Sequence, residues 1–235
     1  MTNLNLDNQI EILSALARMA GGAAHEINNP LAVISGRAQL MEEKAPTEEE
    51  RRVWQLISDQ SDRISGVIST LMEFASPRPA QPKACKIGII VQNALNYFSS
   101  PNLLNLKAVK FDKDIENNLP DVWVDEAQVT KAIEELLQNA VTAAGQEPYI
   151  SIVVRLATDS QHVQLSVRDN GPGMDARALA GAFTPFYFTQ TSGCRRGLGL
   201  SVAWRYVVNN QGQIWIESQN GQGTTVHMLL PQARL

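Results

Sequence analysis

The sequence predicts an α+β chain of two domains, an N-terminal helical hairpin followed by an α/β domain. Three observations predict it. Apolar or small residues recur at alternating steps of four and three from Leu6 to Met41, a proline-punctuated stretch interrupts the chain at 76–82, and beyond it helical periodicity mixes with strand-like alternation. A chain of 235 residues, 44% hydrophobic and 19% charged, is long enough for two modest cores.

The first helix carries the seam Leu6, Ile10, Leu13, Ala17, Ala20, Ala24, Ile27, Leu31, Ile34, Ala38 and Met41, the pattern of a bundled helix. At ~1.5 Å per residue it runs for roughly 55–60 Å, too long for a compact small domain. Pro46 marks a turn, and Thr47 with Glu50 forms a capping box for a second helix. That helix has its own stripe: Val53, Ile57, Gln60, Ile64, Val67, Leu71 and Phe74. The two stripes leave one broad apolar face uncovered, with thirteen Leu, Ile, Val, Met or Phe residues. At about 1.5–3 kcal/mol per buried side chain, covering it contributes on the order of 20 kcal/mol at most. Pairing two hairpins into a dimeric four-helix bundle is the simplest solution, so a homodimer is expected.

Ser76-Pro77-Arg78-Pro79-Ala80-Gln81-Pro82 reads as a linker. The expected division is 1–75 for the hairpin, 76–85 for the linker and 86–235 for the second domain. In that domain helices are predicted near 86–99, 126–144 and 198–211, the second of them capped at Asp125. Strands are predicted near 109–115, 150–157, 162–169, 213–218 and 224–230.

A net charge of −4 offers no basic stripe for phosphate backbones, so no nucleic-acid partner is expected. No apolar run approaches the ~18 residues of a membrane span, and the N-terminus lacks a basic-then-apolar leader pattern. Cys85 and Cys194 stand alone and build neither a metal nor a disulfide framework. The expectation is a soluble, cytoplasmic chain without direct membrane insertion, whose sensor or input domain lies outside it.

Four motifs carry the chemistry. Ala23-Ala24-His25-Glu26-Ile27-Asn28-Asn29-Pro30 puts a histidine beside the seam, on the flank that faces water. Glu135-Leu136-Leu137-Gln138-Asn139-Ala140 puts a carboxylate and an amide one helical turn apart on one face. Asp169-Asn170-Gly171-Pro172-Gly173-Met174 and Gly197-Leu198-Gly199-Leu200-Ser201 are glycine loops, the second opening a helix whose N–H groups and dipole suit phosphate oxygens. No G-x-x-x-x-G-K-[ST] loop is present, so this is not a P-loop protein.

In their order and spacing these motifs resemble the phosphoacceptor box, asparagine box and glycine boxes of a two-component sensor histidine kinase. The resemblance runs from about residue 10 to Pro231. It implies a dimerisation and phosphoacceptor domain joined to an α/β sandwich ATPase domain of the histidine kinase, Hsp90 and gyrase type. It implies that ATP phosphorylates His25, whose neutral imidazole nitrogen attacks phosphorus while Glu26 takes the proton. The phosphoryl group would then pass to an aspartate in the receiver domain of a response regulator. Asn29, one turn beyond His25, matches the residue that positions water for regulator dephosphorylation. Gly21-Gly22 softens the helix before His25 by about 1 kcal/mol per glycine relative to alanine. Pro30 deletes an N–H and clashes with the carbonyl of Glu26, so a kink is expected there.

For the nucleotide, the resemblance makes Asn139 a ligand of Mg2+, with Glu135 in the magnesium shell or on a water. Asp169 accepts the adenine amino group, Gly171 and Gly173 let the backbone approach the base, and Thr224 backs up Asp169 through water. Gly197, Leu198 and Gly199 cradle the phosphates. Phe183-Thr184-Pro185-Phe186-Tyr187 matches the box ahead of the ATP lid, expected at about 188–196. Arg195 and Arg196 stand where family members often carry Gly-Thr, as triphosphate clamps or as solvated lid charges. The family's common lysine ahead of the lid is replaced by Gln190, and its basic residue after the asparagine box by Thr142 and Ala143. Two alternatives stay open: a non-catalytic dimer with a decayed ATP site, suggested by the altered lid, and an ATPase of the gyrase kind, suggested by Glu135.

Overall fold

The structure is a computed structural model that describes residues 25–98, 109–145, 147–187 and 197–234. The seam positions from Leu6 to Ala24 and the Gly21-Gly22 pair lie outside the described residues, as do Gln190, Cys194, Arg195 and Arg196 of the lid. The chain divides into two compact units, Met1–Arg78 and Pro79–Leu235.

In the first unit a helix described over residues 25–44 (α1) is joined by a short turn to α2, Glu48–Ala75. Helix α1 runs unbroken through Pro30. Thr47 is extended and its hydroxyl accepts the Glu50 N–H at 3.2 Å, while three glutamates occupy the first turn of α2, where the helix dipole favours them. Between the helices α1 buries Leu31, Ser35 and Ala38, and α2 buries Ser58, Ser61, Phe74 and Ala75. The centre of the hairpin is therefore polar, not a continuous apolar seam. Ser35 Oγ lies 3.1 Å from Ser58 Oγ and donates to Asp62 Oδ1 at 3.1 Å, and Gln39 Nε2 donates to Ser58 Oγ at 3.4 Å. Heptad stepping misses this layer because serine is neutral to it. Of the seam residues, Ile27, Ile34, Met41, Val53 and Ile64 remain 43–52% exposed within one chain.

The second unit runs β1 (Lys83–Cys85), α3 (Ile87–Phe98), β2 (Lys110–Ile115), β3 (Val122–Val124), α4 (Glu126–Ala143), β4 (Tyr149–Leu156), β5 (His162–Asp169), α5 (Ala176–Gly181), α6 (Gly199–Asn209), β6 (Gln213–Ser218) and β7 (Thr224–Pro231). Five strands form one sheet in the order β2-β4-β5-β7-β6, parallel at β2–β4 and antiparallel elsewhere. Alternation sets the faces. Ile150, Ile152 and Val154, then Val163, Leu165 and Val167, then Val226, Met228 and Leu230 all point to the buried side. Helix α4 lies at the centre of the covering layer, with α3 on one side and α6 on the other. Its stripe of Val129, Ala132, Ile133, Leu136, Leu137 and Ala140 is buried, and each large member contributes about 1.5–3 kcal/mol. The opposite sheet face carries Ser151, Arg168, Gln164, Thr225 and Glu217, with the Trp215 indole stacked on His227 at 4.9 Å between ring centroids.

The longer elements agree with the expected ones to within two residues. Three short ones, β1, β3 and α5, escape periodicity because three to six residues hold too few repeats. Strand β1 lies inside the stretch that reads as linker, where it pairs antiparallel with β3. Gln81 N–H donates to Asp125 Oδ2 at 2.9 Å, and Lys83 Nζ is 2.7 Å from Glu126 Oε2. No described helix is long and apolar enough to cross a membrane.

Candidate active site

In the first unit His25, Glu26 and Asn29 are all exposed on α1. One and four residues beyond His25, the carboxylate and the amide share its stretch of helix, with Asn29 on the same flank.

In the second unit the site is built on α4 and on the ends of β5, β7 and α6. Asp125 caps α4, its Oδ1 accepting the Gln128 N–H at 3.1 Å. Asn210 Oδ1 accepts the Asp125 N–H, and Asn210 Nδ2 donates to Gln128 Oε1 at 3.0 Å. This buried network ties the start of α4 to the end of α6. With both helices anchored, Lys131, Glu135 and Asn139 follow at four-residue intervals along one face of α4.

One end of the site forms around Asp169, which is 7% exposed at the last position of β5, opposite Thr224 of β7. Its Oδ1 accepts the N–H of Gly171 at 2.8 Å and of Thr224 at 3.3 Å; among the described residues no donor reaches Oδ2. Burial pushes the Asp169 carboxyl above the ordinary carboxylate value, against the lowering effect of those two N–H groups. Gly223, with φ +82°, packs so closely here that a Cβ would lie 2.1 Å from the Asp169 carbonyl oxygen. Gly171 and Gly173 lie in the adjoining loop against the Ala143 and Gln219 carbonyls. Ser218, which motif reading passes over, joins the two loops. It accepts the Met174 N–H at 2.9 Å, donates to the Gly223 carbonyl at 3.0 Å and lies 2.9 Å from Thr224 Oγ1. Its signal in the sequence is its place just before a turn that ends at Thr224, the residue it pairs with across β6–β7.

The other end forms where α6 begins. Helices α2, α4 and α5 each have a side-chain cap at their N-terminus, from Thr47, Asp125 and Asp175; among the described residues α6 has none. Its first N–H groups are available to an anion. Gly197 accepts the Phe186 N–H at 2.8 Å through its carbonyl, and Leu198 is buried. At Gly199 an added Cβ would lie 2.9 Å from Asn139 Nδ2 and 2.9 Å from Glu135 Oε2, so the uncapped helix start faces the polar stripe of α4. Together Glu135 and Asn139 offer hard oxygen donors, of the kind that suits a hard divalent cation. Lys131, also absent from motif reading, has Nζ 3.5 Å from Glu135 Oε1 and 3.4 Å from Glu134 Oε2, and lies over the Tyr97 ring at 5.9 Å. Burial works to lower the pKa of the Lys131 ammonium, but the Glu135 and Glu134 carboxylates outweigh it and the net displacement is upward.

The structure thus brings Asp169, Gly171, Gly173 and Thr224 together at one end, and Glu135, Asn139, Gly197, Leu198 and Gly199 at the other. Arg195 and Arg196 lie outside the described residues. Of the other histidines, His162, at the opposite end of β5 from Asp169, is bonded to Asp159, and His227, on the sheet face opposite the helices, to Ser166.

Residues 15–79 match the His Kinase A (phospho-acceptor) domain family, and residues 124–234 match the Histidine kinase-, DNA gyrase B-, and HSP90-like ATPase family. The sensor histidine kinase ZraS of Escherichia coli K12 is 32% identical over 222 residues, which are 94% of this chain and 46% of that protein. The chain therefore spans less than half the length of that relative. Among solved structures, full-length ShkA in complex with AMPPNP superposes with a TM-score of 0.77 at 23% identity, covering 93% of this chain and 47% of that one. The histidine kinase ThkA, in complex with the response regulator TrrA, superposes with a TM-score of 0.67 at 22% identity, covering 96% of this chain and 64% of that one. At these identities the two structures share the fold.

Proposed function

The chain belongs to the two-component histidine kinases, and from that premise we propose that it is a kinase core that autophosphorylates His25 from ATP and passes the phosphoryl group to an aspartate of a response regulator. The observation that carries this reading is the co-occurrence in one chain of an exposed His25 in its acceptor motif and a nucleotide-shaped site ending in an uncapped helix. ZraS is named a sensor histidine kinase, and the ThkA structure contains a response regulator.

Each group has work that fits its surroundings. Asp169 Oδ2 accepts the adenine amino group, because Oδ1 is already committed to two N–H donors. Thr224 and Ser218 hold that carboxylate and its loops in place. The N–H groups at the start of α6 receive phosphate oxygens, and Arg195 and Arg196 clamp the triphosphate from the lid. Asn139 would hold Mg2+, with Glu135 beside it or on a bound water, and the bound ion would supply positive charge to offset that of the transferring phosphate. A ring nitrogen of His25 attacks the γ-phosphorus, the bond to the β–γ bridging oxygen breaks so that ADP departs, and Glu26 takes the imidazole proton. Asn29 orients a water against the regulator's acyl phosphate, which adds phosphatase activity.

The half-exposed Ile27, Ile34, Met41, Val53 and Ile64 are covered by a second hairpin in a homodimer. The core works in the cytoplasm, with its input domain outside this segment and without nucleic-acid partners. We assign 1–75 to dimerisation and phosphoacceptance and 86–235 to nucleotide binding, with 76–85 as a linker whose last residues join the second unit as β1.

Brief incubation with γ-labelled ATP and Mg2+ tests the reading. Acid-labile, base-stable label is expected on the wild type and none on His25→Gln, with nucleotide binding equal in the two. Label that survives the substitution refutes His25 as acceptor. Steady phosphate release with no label at all would instead support the second reading, an ATPase in which Glu135 activates water.

A further inference from the structure

We propose that Lys131 is a positioning residue of the nucleotide site: it holds the Glu135 carboxylate by one oxygen and thereby presents the other to the start of α6 beside Asn139. The inference rests on the reading of this site as one for ATP with Mg2+.

The two oxygens of Glu135 face different groups. Oε1 is 3.5 Å from Lys131 Nζ, whereas Oε2 is 2.9 Å from the point where a Cβ on Gly199 would stand. The Glu135 side chain is 23% exposed and that of Lys131 39%, so the pair is only partly screened by water. Helix stability does not account for the pair. Lys131 precedes Glu135 by four residues, the less favourable order for an intrahelical ion pair, and exposed pairs of this kind contribute only about 0.3–0.5 kcal/mol. The ammonium is also fixed from other sides, by Glu134 at 3.4 Å and by the face of Tyr97. A cation held this way does two things for Glu135. It fixes the rotamer that points Oε2 at the helix start, and it offsets a negative charge that would otherwise stand against an incoming triphosphate. No basic residue follows Asn139 in α4, where Thr142 and Ala143 stand, so Lys131 is the cation that this face of the helix supplies.

The test is a double-mutant cycle on the whole chain, read as the affinity for a non-hydrolysable ATP analogue with and without Mg2+. Lys131→Met is expected to weaken Mg2+-dependent binding about tenfold, the size of an ordinary coupling between contacting side chains. Lys131→Arg restores it, and adding Lys131→Met to Glu135→Gln costs nothing further. A tenfold loss that persists in the Glu135→Gln background overturns the proposal, because Lys131 would then act on the nucleotide directly. Unchanged binding in Lys131→Met overturns it as well. If Lys131→Met lowers the unfolding temperature by more than a few degrees, Lys131→Gln in the same cycle takes its place, with the same two outcomes deciding. Failure of the wild type to bind the analogue removes the nucleotide-site reading and this proposal together.

Discussion

Substituting Gly199 by alanine separates a binding role from a structural one. Gly199 is the first residue of α6, and its φ lies outside the left-handed region, so alanine fits the backbone. The change gains up to about 0.5–1 kcal/mol of helix propensity. Against that, the new Cβ would meet Asn139 Nδ2 and Glu135 Oε2 at 2.9 Å each, and Asn139 Oδ1 at 3.2 Å. All three are ends of side chains, and a withdrawal by a few tenths of an ångström is an off-rotamer adjustment of about 0.5–1.5 kcal/mol. The two effects oppose each other at similar size, so net stability should change by no more than about 1 kcal/mol, a shift in Tm of about 2–4 °C in a domain of this size. Nucleotide affinity has no such compensation, because the methyl group fills the gap between the start of α6 and the stripe of α4. Binding of a fluorescent ATP analogue should weaken at least tenfold, about 1.4 kcal/mol, while thermal unfolding followed by circular dichroism hardly moves. A collapse in Tm would mean that the gap is a packing requirement. Wild-type affinity would mean that phosphates do not enter it. Either result refutes the reasoning.

Three further outcomes follow from the Asp169 end. Because burial raises the Asp169 carboxyl above its ordinary value near 3.8, the folded chain holds that proton more tightly than the unfolded one. The stability this proton contributes is complete below the unfolded value and is lost as pH rises through the raised folded value; Asp169→Asn should abolish that slope in urea titrations run across pH. Nucleotide binding should move the opposite way in the wild type, strengthening over the same interval as the proton leaves Oδ2, and a flat binding profile there would contradict the assignment. Ser218→Ala strands the Met174 N–H and removes a donor to the Gly223 carbonyl. It should cost about 1–3 kcal/mol in urea unfolding and also weaken nucleotide binding, and an unchanged midpoint would show that water replaces the hydroxyl.

The sequence discloses the long elements and the motif positions because both rest on local patterns. Alternation over eight residues marks β4, β5 and β7, and a glycine pair before an apolar helix marks the start of α6. What it hides has a common physical character. Ser218 matters through a residue six positions away across a turn, and Asn210 through Asp125 and Gln128 more than eighty positions earlier; both act by hydrogen bonds that leave no period. Lys131 sits at helical spacing from Glu135 and could have been found by charge patterning, but a motif that begins at Glu135 stops one turn short of it. In the hairpin, heptad stepping credits Gln60 with a seam position that is exposed and overlooks Ser58 and Ser61, which are buried.

That buried serine layer has a mechanical consequence. An all-apolar seam slides at modest cost, since one leucine is nearly as good a neighbour as the next. Ser35, Ser58, Asp62 and Gln39 are matched at a single registration of α1 against α2. A shift of one turn would leave buried hydroxyls stranded, at about 1–3 kcal/mol for each. The hairpin is thus pinned against sliding of one helix past the other, as a rivet pins two plates. Within one hairpin, sliding of α1 against α2 is therefore a motion that this layer makes costly.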